Sequence, residues 1–186
     1  MELMDAIKAR RSVRAYKPDA VAKEMIQRLL DAAVLAPTGM NAQPWAFGVI
    51  QDKQRLKAYD ERTKAFLLSK IDEWAWLAPY AERFASPEYS VFHNAPALVV
   101  IYAKNATPLA QMDCTLAAEN LMLAACDLGL GTCWIGFSAF VLNTPEAKQE
   151  LGVPEDYVAI APIIVGYPAG PVETPEKNPP EILYWK

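Results

Sequence analysis

The chain has 186 residues, 53% of them hydrophobic and 22% charged, with a formal net charge of −4. That length and balance fit one packed domain, or a subunit whose core a partner completes, and they exclude a disordered chain. The acidic total excludes a field that would recruit nucleic acid, no apolar run is long enough to span a bilayer, and Met1-Glu2-Leu3-Met4-Asp5 lacks a signal-peptide layout.

In chain order, Leu3 to Arg10 reads as a short helix, followed by Arg10-Arg11-Ser12-Val13-Arg14. Residues 19–36 read as a longer helix with Asp19 as its cap and an apolar face of Ala22, Met25, Ile26, Leu29, Ala33 and Val34. Pro37 to Pro44 is a polar loop, and Trp45 to Ile50 a strand. From Lys53 to Phe84 the pattern is helical and aromatic, with Pro79 interrupting it. Pro96 to Ala103 carries a continuous apolar run, as in a strand buried on both faces. Leu109 to Leu128 reads as a helix apolar almost all round, and therefore buried on most sides, stopped by Gly129-Leu130-Gly131. Thr132 to Phe137 reads as a short strand, Thr144 to Leu151 as a helix, and Tyr157 to Val165 as another buried strand. The tail from Pro168 is Pro-rich until Glu181-Ile182-Leu183-Tyr184-Trp185, which is too apolar for a free end. Mixed helices and strands without a repeat define an α+β layered domain spanning 1–186, with 168–186 an arm that packs on a partner.

Two segments carry the chemistry. Arg10, Arg11 and Arg14 set three guanidinium forks beside the Ser12 hydroxyl, a local cationic site on an acidic protein that suits a small anion. One helix later, Pro37-Thr38-Gly39-Met40-Asn41-Ala42-Gln43 offers amides that can match the edge of a planar heterocycle. Taken singly, the first reads as a solvated, ion-paired surface and the second as turn chemistry. Together they imply a phosphorylated, ring-bearing ligand.

The remaining reactive residues exclude more than they suggest. His93 is the sole histidine, so a His-rich metal site is impossible and a nucleophilic triad could form only around it; it reads as structural. Cys114, Cys126 and Cys133 lack metal or disulfide spacing and read as buried, inert thiols in a reducing cytoplasm. No Gly-rich Rossmann or Walker segment is present.

In order and spacing, the Arg-x-Ser-x-Arg segment and the Pro-Thr-x-x-Asn-x-Gln-Pro-Trp segment resemble those of the nitroreductase family of FMN-dependent oxidoreductases. The resemblance runs over nearly the whole chain and implies a mostly antiparallel central sheet flanked by helices, in a homodimer whose C-terminal arm exchanges between subunits. It implies further that Arg10, Ser12 and Arg11 hold the FMN phosphate and ribityl chain and that Arg14 approaches the pyrimidine edge. The loop Pro37, Thr38, Gly39, Met40, Asn41 and Gln43 would face the flavin from the second subunit. Gly131-Thr132-Cys133-Trp134-Ile135-Gly136 matches the family's flavin-side strand, with backbone N–H groups near Ile135 and Gly136 beside the redox-active nitrogen. Lys177, before Asn178-Pro179-Pro180-Glu181, stands where the family commonly has a phosphate-reaching cation.

The implied activity is NADH- or NADPH-dependent reduction of nitroaromatics, quinones or related small aromatic acceptors, alternating in one pocket, with no catalytic side chain because the cofactor carries the chemistry. Trp74, Trp76, Tyr80 and Phe84 suit either a substrate lid or core contacts. Within the same fold a reductive dehalogenase or a flavin-consuming enzyme stays open, although the Tyr59–Phe84 stretch shows no polar lid signature. A non-catalytic flavin-binding module also stays open.

Overall fold

The computed structural model describes every residue, Met1–Lys186. Four antiparallel strands form the central sheet in the order β1-β2-β4-β3: β1 (Trp45–Ile50), β2 (Ala97–Ala103), β3 (Gly131–Trp134) and β4 (Val158–Gly166). This is the expected α+β architecture with an antiparallel sheet. The inner strand β2 is buried at every position because its alternate side chains feed two different cores. Ala97, Val99, Ile101 and Ala103 pack on one face, and Leu98, Val100 and Tyr102 on the other.

Helices α2 (Lys23–Ala33) and α5 (Pro108–Asp127) cover the first face. On α5, Ala110, Asp113, Cys114, Ala117, Ala118, Leu121, Met122 and Ala125 are buried, a run at three- and four-residue spacing. Burial on most sides was expected, but Leu109, Met112 and Leu116 on its other side are exposed, as are Leu3, Met4 and Ile7 of α1 (Leu3–Ala9). The second face is covered by α3 (Lys53–Ser69), by α6 (Ser138–Leu142) and α7 (Pro145–Leu151), and by the 89–95 segment. The described helices include none long and apolar enough to cross a membrane.

Several boundaries differ from the sequence reading, each for a local reason. The second helix begins at Lys23 and not at Asp19; its N-cap is Ala22, without a side-chain cap. Upstream, Lys17 N–H donates to Tyr167 O and Tyr16 bridges Pro168, which keeps that segment extended, while Val21 drops into the core. The expected Lys53–Phe84 helix breaks after Ser69 into turns, a 3₁₀ segment Ala75–Tyr80 containing Pro79, and α4 (Ala81–Ala85). The expected 132–137 strand stops at Trp134. Ile135 N–H still reaches Pro162 O, but Ser138 N–H and Oγ–H both donate to Ile135 O and turn the chain into α6, which the sequence reading missed.

Asp60 of α3 organises the segment beyond Ser86. It is 8% exposed, and its Oδ1 accepts from Ser90 Oγ (2.9 Å) and Phe92 N–H (2.8 Å). Lys64, one turn on, donates to Ser86 O and Tyr89 O at 2.7 and 2.8 Å. Asp60→Ala strands the buried Phe92 amide, so a loss of about 2 kcal/mol in urea unfolding is expected; an unchanged midpoint and slope would show that the contacts are dispensable.

Candidate functional site

The Arg segment starts where α1 stops. Arg10 caps α1 by donating its N–H to Ala6 O, and the chain then runs extended beside β3, with Ser12 bridging Thr132 and Val13 N–H donating to Thr132 O at 2.9 Å. Val13 is buried under Gly131, while Ser12 and Arg14 stay exposed. A Cβ on Gly131 would lie 2.7–2.9 Å from Val13 side-chain atoms, so glycine is what lets the Arg segment sit so close to β3. Gly131→Ala should cost about 1–3 kcal/mol in a denaturation series; full stability would mean that Val13 moves freely.

Arg10, Arg11, Ser12, Arg14 and Lys177 all line one cavity of about 550 Å³, together with Ile7 and the 172–175 segment. Arg10 Nε lies 3.4 Å from Glu119, a half-exposed pair of small energetic weight. Arg11 donates from Nη1 to Arg10 O and from Nη2 to Thr174 Oγ1 (2.8 Å), but its Nε is buried with no partner. Arg14 makes only a 3.4 Å bond to Ser12 O. The cavity is thus rich in unspent donors, with Glu173 the carboxylate on its wall.

Arg14 also lines a second cavity of about 460 Å³, where aromatic side chains meet the end of β3. Its walls are Cys133, Trp134, Ile135 and Gly136, with Phe137 and Phe140 from the α6 region, Trp76 and Tyr80 from the 3₁₀ segment, Arg83 from α4, and Tyr89, Val91 and His93. Trp76 stacks on Phe137 with centroids 6.2 Å apart and planes 7° apart, and Tyr80 meets Phe137 edge-on at 5.5 Å. The four candidate lid aromatics therefore divide. Phe84 is core at 1% exposure, Trp74 is half-buried, and Trp76 and Tyr80 face the cavity.

The strand end differs in one detail from expectation. Ile135 N–H is committed to Pro162 O at 2.7 Å, so it is not available to a ligand. Gly136 N–H has no partner within the chain, and a Cβ there would meet nothing within 4 Å. Gly136 therefore brings an unpartnered backbone donor to the cavity wall, with no side chain beside it. Burial pushes the Cys133 thiol up, against the opposing pull of Arg14, so it is not a reactive thiolate. Cys114 is buried and pushed up to about 11 by burial. Cys126 is only half-buried, a correction to the expected burial of all three.

His93 is half-buried, at φ 51, with its ring edge-on to Tyr89 at 5.9 Å. Burial first, then the Arg14 and Arg83 guanidinium groups, lower its pKa to about 4. The imidazole is neutral at pH 7 and supplies no fixed charge.

The Pro37–Gln43 loop lies elsewhere. It feeds β1, at the opposite edge of the sheet from β3, across three strand spacings or about 14 Å. Neither cavity includes a loop residue. Pro37, Met40, Asn41 and Gln43 are exposed, with Thr38 and Gly39 half-buried. Met40, Asn41 and Gln43 all have positive φ (53, 53 and 46°), which for Met and Gln is strain of about 1–3 kcal/mol each. The loop is held by Gln43 N–H to Thr38 Oγ1, Gln43 Nε2–H to Asn41 Oδ1 and Gly39 N–H to Asp113 Oδ1, each 3.2 Å, and by the backbone bonds Asn41 N–H to Thr38 O (3.1 Å) and Ala42 N–H to Gly39 O (3.0 Å).

One chain therefore brings together Arg10, Arg11, Ser12, Arg14, Lys177 and Cys133–Gly136, and leaves the 37–43 loop apart. Sequence reasoning missed Arg83, Tyr89, Phe137 and Phe140. Phe137 and Phe140 stand three residues apart, a helix-face signal that could have been read. Arg83, between Glu82 and Glu88, looks like ordinary solvated charge.

The nitroreductase family model matches residues 7–167. A provisionally assigned NADH dehydrogenase/NAD(P)H nitroreductase of Archaeoglobus fulgidus is 31% identical over 172 residues, covering 90% of this chain and 86% of that one. An iodotyrosine deiodinase of Thermotoga neapolitana is 27% identical over 199 residues, covering 98% and 97%. A crystallised nitroreductase of Bacteroides fragilis with bound FMN matches with a TM-score of 0.84 and 32% identity, covering 100% of this chain and 98% of that one. Fold and relatives define the class as FMN-dependent oxidoreductase. The chain belongs to the nitroreductase family.

Proposed function

We propose that the protein is a homodimeric FMN enzyme that uses NADH or NADPH to reduce nitroaromatics, quinones or related flat acceptors. The observation that carries this reading is the junction at Arg14, where a donor-rich cavity opens beside an aromatic one. An anionic tail and a flat ring on one ligand match those two spaces.

The residues fit FMN on three counts: the buried, unpartnered Arg11 Nε, the unpartnered N–H of Gly136 on the cavity wall, and an aromatic cavity without a carboxylate on its wall. Arg10, Arg11, Ser12 and Lys177 would hold the phosphate and ribityl chain, and Cys133 through Gly136 would back the ring. Arg14 is a fixed charge that favours the negative charge added on reduction, and Gly136 N–H can donate to the ring. When bound there, FMN would supply the hydride-transfer chemistry that links NAD(P)H to the acceptor. Trp76, Tyr80 and Phe137 would shelter both substrates in turn, which implies ping-pong kinetics.

Pro37, Thr38, Gly39, Met40, Asn41 and Gln43 would complete the site from the second subunit. Their separation from the cavities within one chain, and their strained, exposed amides, support that role. The exposed Leu109, Met112 and Leu116 supply an apolar face for a second copy. The arm would leave its own chain after Lys177. Ile182, Leu183, Tyr184 and Trp185 are 59–88% exposed, and β1 is a sheet edge free to pair, whereas Ser12 already bridges β3.

The test is the visible spectrum of purified protein, followed by NAD(P)H consumption with menadione or a nitrofuran. A released flavin identified as FMN, with steady turnover, is expected. Bound FMN without turnover would leave a binding module, and protein unable to take up FMN would end the reading.

A further inference from the structure

The aromatic cavity carries one cation that the proposed cofactor does not use. Its wall includes Arg14 and Arg83 but no Asp or Glu, and His93 there is uncharged at neutral pH. Arg14 is assigned to the ring edge. Arg83 makes no ion pair with Glu82, Glu88 or any other acid, and none of its donors is engaged by the chain. The other cavity-facing guanidinium groups near the site lean on protein oxygens: Arg10 on Glu119, Arg11 on Thr174, Arg14 on Ser12 O.

Arg83 is nonetheless held in place. Its guanidinium lies 4.6 Å from the centroid of the Tyr89 ring. Tyr89 is fixed in turn by Lys64 through its carbonyl, and α4 is fixed by Phe84, buried at 1% and edge-on to Phe137 at 5.3 Å. A planar fork pre-set at the rim of an aromatic slot loses little freedom when it binds, and its geometry matches a carboxylate two oxygens at a time. We propose that Arg83 selects acceptors bearing a carboxylate on the flat ring, so that the physiological substrate is an aromatic acid and not a neutral nitroarene or quinone. This rests on the oxidoreductase reading above for its chemistry, but the binding preference belongs to the chain itself. With the flavin ring against the end of β3, an acceptor ring lying over it on the Trp76 side would present its acid group to Arg83, while the basic cavity beyond Arg14 serves the phosphate.

Two measurements test this on the full-length protein. In turnover with NADH, the kcat/KM ratio of 4-nitrobenzoate to its methyl ester should exceed one by about tenfold. The ratio should fall about tenfold in Arg83→Gln, recover in part in Arg83→Lys, and shrink with added salt. In calorimetric titration with benzoate and methyl benzoate, which need no electron transfer, the same preference and the same loss are expected. An acid-to-ester ratio equal in wild type and Arg83→Gln overturns the proposal. So does a change confined to the KM of NADPH relative to NADH, which would give Arg83 to the donor's phosphate. Absent turnover of menadione as well as of acid and ester, with the benzoate preference intact, overturns the NAD(P)H-dependent acceptor reading and leaves the Arg83 binding preference standing.

Discussion

Arg10→Ala combined with Arg14→Ala is expected to give folded protein that purifies nearly colourless, with FMN affinity reduced by roughly a hundredfold or more. Each lost charge-assisted contact is worth about 1.5–3 kcal/mol, and two such losses multiply in the binding constant. The fold should survive, because Arg14 is exposed and the Arg10–Glu119 pair is half-exposed, the kind of pair that contributes little. Far-UV circular dichroism and a urea midpoint near wild type would establish that. Full yellow occupancy in the double variant would refute the phosphate assignment and, with it, the role given to the junction at Arg14.

Removing Val172–Lys186 should have the second large effect, on assembly. Within one chain this segment contributes one side-chain hydrogen bond, Arg11 Nη2 to Thr174 Oγ1, and its last apolar residues touch little. The truncated chain should therefore keep its secondary structure. If Ile182–Trp185 pack on a second copy, their loss weakens that assembly and uncovers the apolar side of α5 carrying Leu109, Met112 and Leu116. Size-exclusion chromatography should then report monomer or aggregate, and flavin retention should drop because Lys177 is also gone. A stable dimer of the truncated chain would overturn the exchanged arm and leave the fold untouched.

How much was legible follows from the physics of each element. Strands β1, β2 and β4 stood out because a continuous apolar run bounded by turn residues has few alternatives to a buried strand. Helix α5 was legible in extent, but its exposure was not, because periodicity cannot distinguish a face covered by the same chain from one left for a partner. Asp19 misled as a cap, since the pinning of Lys17 and Tyr16 to the end of β4 is a contact between distant segments. Helix α6 was missed for a similar reason: a short apolar run is compatible with strand or helix, and Ser138 decides it locally only once β3 has lost its partner.

The sequence by itself determined the chemical inventory: three arginines and a serine at one helix exit, an amide loop one helix on, a single histidine, an acidic total, and with these the family. Such signals survive in sequence because they depend on residue type and short spacing. Only the tertiary structure decided which groups share a cavity. It joined the donor-rich and aromatic spaces at Arg14, set the 37–43 loop at the far sheet edge, and spent the Ile135 N–H while leaving that of Gly136 free. It also turned Arg83 from an ordinary surface charge into an unpaired cation on an aromatic wall. Those outcomes depend on which distant segments pack together and on which donors remain unmatched after packing, and no local pattern encodes either.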